Sequence, residues 1–169
     1  MPTHLSVPLD LQTDPEKYFE QIDGQLLERN SGSGTHSDCT FKLVTLLKPI
    51  AAQRNSRVRL EWSLAKGDEW MTPDVMLAFP GEVREDARGY LIAPAFLCIE
   101  ILSPADRQSD VFRKCYRYHN WGVPHCWIVD PQAKACFEYH GGNDSTLARE
   151  NGSLTAAEIR LPISEIFPD

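Results

Sequence analysis

A mixed α/β fold, α+β in arrangement, is predicted by three features of the sequence. Apolar residues recur near the helical period after His36, a nearly continuous apolar run fills residues 95–102, and short β-like runs alternate with helical ones. The 169 residues, 42% hydrophobic and 24% charged, suffice to bury one core, so a single domain over residues 1–169 is expected.

The elements follow in order. Thr13 and Glu16 have capping-box spacing and Pro15 suits a first turn, so a short helix is expected through Tyr18, Phe19 and Ile22. Asp23-Gly24 stops it and turns the chain into a short strand at residues 25–29. Ser31-Gly32-Ser33-Gly34 reads as a flexible connection. Phe41, Leu43, Val44, Leu47 and Ile50 then mark a helix from His36, which Pro49 should kink or end. Strands are expected at 58–62 and 74–79, separated by a turn at Gly67-Asp68. The run at 95–102 reads as a central strand covered on both faces. A helix over 109–119 ends at Trp121-Gly122-Val123-Pro124, and strands at 126–129 and 135–139 flank an Asp130-Pro131 turn. A last strand at 157–161 and a helical turn at 163–167 close the chain.

Composition excludes several classes. No apolar run approaches the roughly 20 residues of a membrane span. Residues 1–17 lack the basic start and apolar stretch of a signal peptide, so a cytoplasmic protein is expected. Cys39, Cys98, Cys115, Cys126 and Cys136 are odd in number and form no C-x-x-C pair; Cys98, Cys126 and Cys136 sit inside apolar or β-like runs and read as reduced core residues, not a disulfide framework or zinc site. The net charge of −7 argues against an indiscriminate nucleic-acid coat. It leaves room for a metal site, whose carboxylates count as excess acid until the metal binds. Basic residues cluster at Arg54, Arg57 and Arg59, and at Arg107, Arg113, Lys114 and Arg117. Either cluster could meet phosphates, and the first is as readily a solvated surface.

Glu100 is the most informative residue, because every neighbour from Phe96 to Leu102 is apolar. A buried, unpaired carboxylate costs on the order of several kcal/mol, so a cation, a metal or strong hydrogen bonds must compensate it. A structural ion pair, or a strand end reaching water, would serve as well. Asp74, in Thr72-Pro73-Asp74-Val75, is a second acid at the mouth of a strand. Pro-Asp also starts ordinary turns. Two carboxylates at the ends of adjacent strands, however, are a usual way to hold Mg²⁺. Asp110, Lys114 and Tyr118 follow at i, i+4 and i+8, on one helix face. The plain reading is a surface Asp110–Lys114 pair. The functional one points Lys114 at the strand end of Glu100, where an ammonium can orient water and neutralise developing charge.

In chain order stand Asp23-Gly24, Glu28, His36, Pro73-Asp74-Val75, Ile99-Glu100-Ile101-Leu102-Ser103-Pro104, Asp110-x-x-x-Lys114-x-x-x-Tyr118, Gly122-Val123 and Trp127-Ile128-Val129-Asp130-Pro131. From about Tyr18 to the C-terminus, this ordered set resembles the Uma2 family of endonucleases, a branch of the PD-(D/E)XK nuclease superfamily. The resemblance implies a restriction-endonuclease-like fold, a mixed central sheet with helices on both sides, and metal-dependent cleavage of phosphodiester bonds in DNA. Asp74 and Glu100 match the acids that hold Mg²⁺ or Mn²⁺, and the backbone carbonyl of Ile101 is a further expected ligand. Leu102 stands where the superfamily has its Lys. Lys114 matches the following-helix position from which relatives supply it, and it is expected to act in the chemical step rather than in folding or metal capture. Glu28 and His36 match acidic and histidine positions of the family and are candidate catalytic residues. A Glu there can bind a second metal or position water, whereas a lone His at a helix start otherwise serves as a cap or local partner. Tyr118 and Trp127 read as core packing, and Asp130 as a turn residue.

A nuclease-fold binding module with little cleavage is the alternative, and a small-substrate phosphatase would need a closed pocket that the sequence does not signal. The intact Asp74, Glu100 and Lys114 set favours the enzyme. A homodimer is expected, since compact nucleases that cut both strands commonly work as symmetric pairs.

Overall fold

Asp23 and Gly24 take positive φ values of 53° and 72°, the backbone of a two-residue hairpin turn. They join strand β1 (Phe19–Ile22) to β2 (Gln25–Glu28), paired antiparallel with Glu20 opposite Leu27. The helix expected through Tyr18, Phe19 and Ile22 is therefore a strand over its described part, because Asp-Gly here makes a hairpin instead of stopping a helix. Thr13 and Glu16 lie outside the residues that this computed structural model describes. Those are 18–30, 32–142, 144–149 and 152–167, with the backbone alone at 147–149.

Ser33 caps helix α1 (Gly34–Gln53), its hydroxyl accepting from the His36 N–H at 3.2 Å. Leu43, Leu47 and Ala51 recur four residues apart and are buried on its inner face. The helix passes through Pro49 to Gln53 rather than ending there. Pro49 is exposed, and the packing of Leu47 and Ala51 on either side of it holds the last turn. Next come β3 (Val58–Leu60), then β4 (Leu64–Lys66) and β5 (Glu69–Met71), a hairpin closed by Gly67-Asp68. That hairpin is longer than the turn the sequence suggested, and it pairs with β1 in a four-stranded sheet ordered β2-β1-β5-β4.

The central sheet is built from β6 (Val75–Leu77), β7 (Leu97–Ile101), β8 (His125–Asp130), β9 (Ala135–Gly141) and β10 (Asp144–Arg149), with β3 at one edge. Its order is β10-β9-β8-β7-β6-β3, mixed because β7 and β8 run parallel while the other pairs are antiparallel. Helix α2 (Gln108–Asn120) makes the β7-to-β8 crossover. A ribbon of β11 (Ser153–Ala156) and β12 (Ile159–Pro162), then the turn α3 (Ile163–Ile166), packs beside α1.

Period-two alternation sorts β7 between two cores. Leu97, Ile99 and Ile101 join α1 and the β11–β12 ribbon in one cluster. Cys98 joins Val111, Cys115 and Tyr118 of α2, with Ile22, Leu64 and Met71 of the smaller sheet, in the other. Glu100 shares the parity of Cys98, so it faces α2. All five cysteines are free and buried. Among the described residues, no helix is long and apolar enough to cross a membrane.

Pro49 removes one backbone donor from α1 yet contributes nothing to the core. Replacing it with Ala should raise thermal stability by about 2 kcal/mol, the helix-interior cost of proline less its unfolded-state benefit. Equilibrium denaturation measures this, and an unchanged or lowered midpoint would show that the helix depends on the proline's geometry.

Candidate active site

Burial of three carboxylates at converging strand ends defines the site. Glu20 on β1, Asp74 just before β6, and Glu100 near the end of β7 are each 5–6% exposed. Asp74, Glu100, Lys114, His36, Glu28 and Ile101 all line one cavity of about 370 Å³, so the structure brings every sequence-proposed site residue together. Glu28 sits exposed on β2 at this cavity. Leu102 lines a different cavity with Asp130.

Asp74 is held from both sides. Its Oδ2 accepts the Ile101 N–H at 2.7 Å, fixing the carboxylate against the backbone that follows Glu100. Its Oδ1 lies 3.2 Å from His36 Nε2 and 3.4 Å from Arg29 Nη2. Burial alone would push its carboxyl up, but the His36 hydrogen bond and charge, the Ile101 N–H and Lys114 together bring it below the usual carboxylate range. The Asp74 hydrogen bond correspondingly raises the His36 imidazole against its burial. His36 thus reaches the site through its ring while its N–H is capped by Ser33.

Lys114 leaves Asp110 and turns inward. Its Nζ lies 2.8 Å from Glu20 Oε1, 2.9 Å from Glu100 Oε1 and 3.4 Å from the Thr72 carbonyl. Burial opposes its charge, yet Glu100 and Glu20 outweigh burial and raise its pKa. Glu100 is balanced the other way. Burial pushes its carboxyl up to about 7; Lys114 and the Tyr118 hydroxyl, donating at 2.7 Å, oppose this, while the charges of Asp74 and Glu20 add to it. One ammonium serves two carboxylates, so Glu100 is left undercompensated.

Sequence reasoning missed Glu20 and Arg29. Glu20 Oε1 accepts the Thr72 N–H at 2.7 Å, and Arg29 spans Glu20, Glu61 and Asp74 at 3.7, 3.9 and 3.4 Å. Burial lowers the Arg29 pKa, but Glu20, Glu100 and Asp74 raise it further. Asp-Gly at residues 23–24, taken as a hairpin, would have set the two on neighbouring arms but not shown what they meet. Tyr118 is core packing, as expected, and is also a hydrogen-bond donor to Glu100. Trp127 is buried and donates to the Thr155 carbonyl at 2.9 Å, and Asp130 caps its own turn through the Gln132 and Ala133 N–H groups.

Residues 6–168 match the family Uma2, described as "Putative restriction endonuclease". The chain belongs to the Uma2 family. Its mixed sheet with helices on both faces is also that of a solved structure described as a "putative nuclease belonging to DUF820" from Anabaena variabilis ATCC 29413. The two are 24% identical, with a TM-score of 0.77 over 88% of this chain and 89% of that one. A cryo-EM DrdV–DNA complex is 16% identical over 62% of this chain and 9% of that chain, at a TM-score of 0.38 too low to support any argument. Comparison with curated proteins gave no match. Uma2 membership makes this a chain of a nuclease family.

The Glu100 shift fixes a pH signature. An unfolded Glu titrates at about 4.5 and the folded one at about 7, so the folded state holds the proton more tightly. The stability this contributes is complete below the unfolded value and is lost as pH rises through the folded one. Glu100→Gln titrates nothing at this position. Its stability relative to wild type should therefore climb by a few kcal/mol between pH 4.5 and 8, read by denaturation at each pH. A variant that instead loses ground as pH rises would mean that Lys114 and Tyr118 over-compensate the charge.

Proposed function

We propose that this Uma2 chain hydrolyses phosphodiester bonds in DNA, using Mg²⁺ or Mn²⁺ held between Asp74 and Glu100. The observation that carries the reading is the charge balance of the cavity. Six carboxylates and four Lys or Arg side chains line it, among them two buried acids whose oxygens converge from adjacent strand ends. Apart from the His36 imidazole, which is turned to Asp74, the donors there are oxygens, which suit a hard cation. Among the described residues no three His, Cys, Asp or Glu side chains form a ready ligand set. Mg²⁺ is commonly bound through one or two carboxylates, its other positions filled by water, carbonyl and phosphate oxygens. The Ile101 carbonyl, next to the N–H that fixes Asp74, is the backbone candidate.

When bound, the metal would supply Lewis acidity and a water of lowered pKa. The protein's own groups do the rest. Tyr118 and Lys114 orient Glu100, and the Ile101 N–H and His36 orient Asp74. Lys114, held charged by two carboxylates, can donate but not accept, so it stabilises charge on a phosphate oxygen or orients the attacking water. Arg107 and Arg113, exposed at the cavity, are placed to meet the flanking phosphates. Glu28 and His36 remain catalytic candidates, the first on the exposed side and the second through Asp74. A symmetric homodimer would cut both strands.

One observation favours a binding module with little cleavage instead. Arg29, His36 and Lys114 already neutralise part of the acid that a metal would use. Supercoiled plasmid incubated with purified protein and Mn²⁺ or Mg²⁺ separates the two readings. Nicking should need the metal, vanish in Asp74→Asn, and fall by about 10²-fold or more in Lys114→Met. Lys114→Met should also lose about 3 kcal/mol of stability, because it strands Glu20 and Glu100. Undiminished nicking in chelator, or by Asp74→Asn, would defeat the proposal.

A further inference from the structure

Arg29 also lines a second cavity, of about 330 Å³, together with Tyr18, Trp70, Tyr90, Glu61 and Thr72. Four aromatic residues, Phe19 among them, line it without being closed into the core, and the rings of Trp70 and Tyr90 meet. The Trp70 and Tyr90 ring centroids are 6.1 Å apart, tilted by 40°, and Trp70 is fixed by its Nε1 donating to the Phe19 carbonyl at 3.2 Å. Arg88, outside the cavity, lies 4.5 Å from the Tyr90 centroid and 5.5 Å from that of Trp70, and is itself paired with Asp86. The Trp70 and Tyr90 rings are thus braced from outside. Tyr18 is 60% exposed, an unusual position for an aromatic side chain with nothing to stack on.

We propose that this cavity is a subsite for one unpaired nucleobase of the nucleic acid whose phosphate lies at Asp74 and Glu100, an inference that rests on the nuclease reading above. Braced, open aromatic rings are the surface on which bases stack, whatever their sequence. The cavity suits the base and not the phosphate. Glu61 stands in its wall, and Arg29, the one lining cation among the described residues, is already shared by Glu20, Glu61 and Asp74. The partition from the carboxylate site is thin, made by Arg29 and by Thr72, whose carbonyl faces Lys114 and whose N–H faces Glu20. A base seated among the rings therefore leaves its own phosphodiester beside the carboxylates. A base stacked within a duplex cannot reach such a place. The substrate is consequently single-stranded or locally unpaired, or the base is turned out of the helix on binding.

The test uses full-length protein with Ca²⁺ in place of Mg²⁺ and a short single-stranded oligodeoxynucleotide carrying 2-aminopurine at each position in turn. Emission should change at one position, beside the point of cleavage. Tyr18→Ala and Tyr90→Ala should each lose that change and bind about tenfold more weakly, while Tyr18→Phe keeps both. Tyr18 is exposed enough that its loss leaves thermal stability unaltered, so its effect is not unfolding. Wild-type affinity and emission in both Ala variants would overturn the subsite. Wild-type protein that nicks plasmid but alters the emission at no position would also overturn it, leaving the nuclease reading standing. Protein that neither nicks plasmid nor binds the oligonucleotide would remove both.

Discussion

Buried carboxylate charge governs how this chain is put together around its site. Glu20, Asp74 and Glu100 are withdrawn from water by three strands of two different sheets, and each needs a partner to remain there. Lys114 joins the hairpin to the central sheet by bridging Glu20 and Glu100, and Arg29 does the same by bridging Glu20 and Asp74. The smaller sheet is thereby tied to the larger one by charge as well as by the apolar contacts of Ile22, Leu64 and Met71. The compensation is incomplete at Glu100, whose pKa rises to about 7. A divalent cation bound as proposed would relieve that deficit.

Much of this was written in the sequence, and the reasons are local. Glu100 stood out because its neighbours are all apolar, and in the structure those neighbours alternate between two cores while Glu100 opens on the cavity. Lys114 was found through helical spacing, which a 13-residue amphipathic helix preserves. The role expected of it was in the chemical step alone, whereas an ammonium that holds two buried acids bears on folding. Tyr118 was legible as core and not as a donor, since spacing reveals the face of a helix but not where a hydroxyl ends.

Glu20 and Arg29 were not legible, for a different reason. Beyond their contact with each other, Glu20 meets Thr72 and Lys114 and Arg29 meets Glu61 and Asp74, all distant in sequence, through the pairing of β1 with β5 and the meeting of two sheets. Three- and four-residue strands such as β1, β4 and β5 carry too little periodicity to be told from a helical turn. The long elements, α1, α2 and β7, came through because their pattern repeats often enough to survive one misplaced residue. Pro49 shows the limit even there, since tertiary packing carried α1 past a residue that should have broken it.

The central claim is that Asp74 and Glu100 share a metal. Diffraction from crystals soaked in Mn²⁺, recorded where manganese scatters anomalously, examines it without reference to any activity. One anomalous peak is expected, bounded by the Asp74 and Glu100 carboxylates with the Ile101 carbonyl beside it. The peak should disappear in Asp74→Asn while His36 and Arg29 stay in place. Manganese bound only elsewhere, or a site between the two acids that survives Asp74→Asn unchanged, would contradict it.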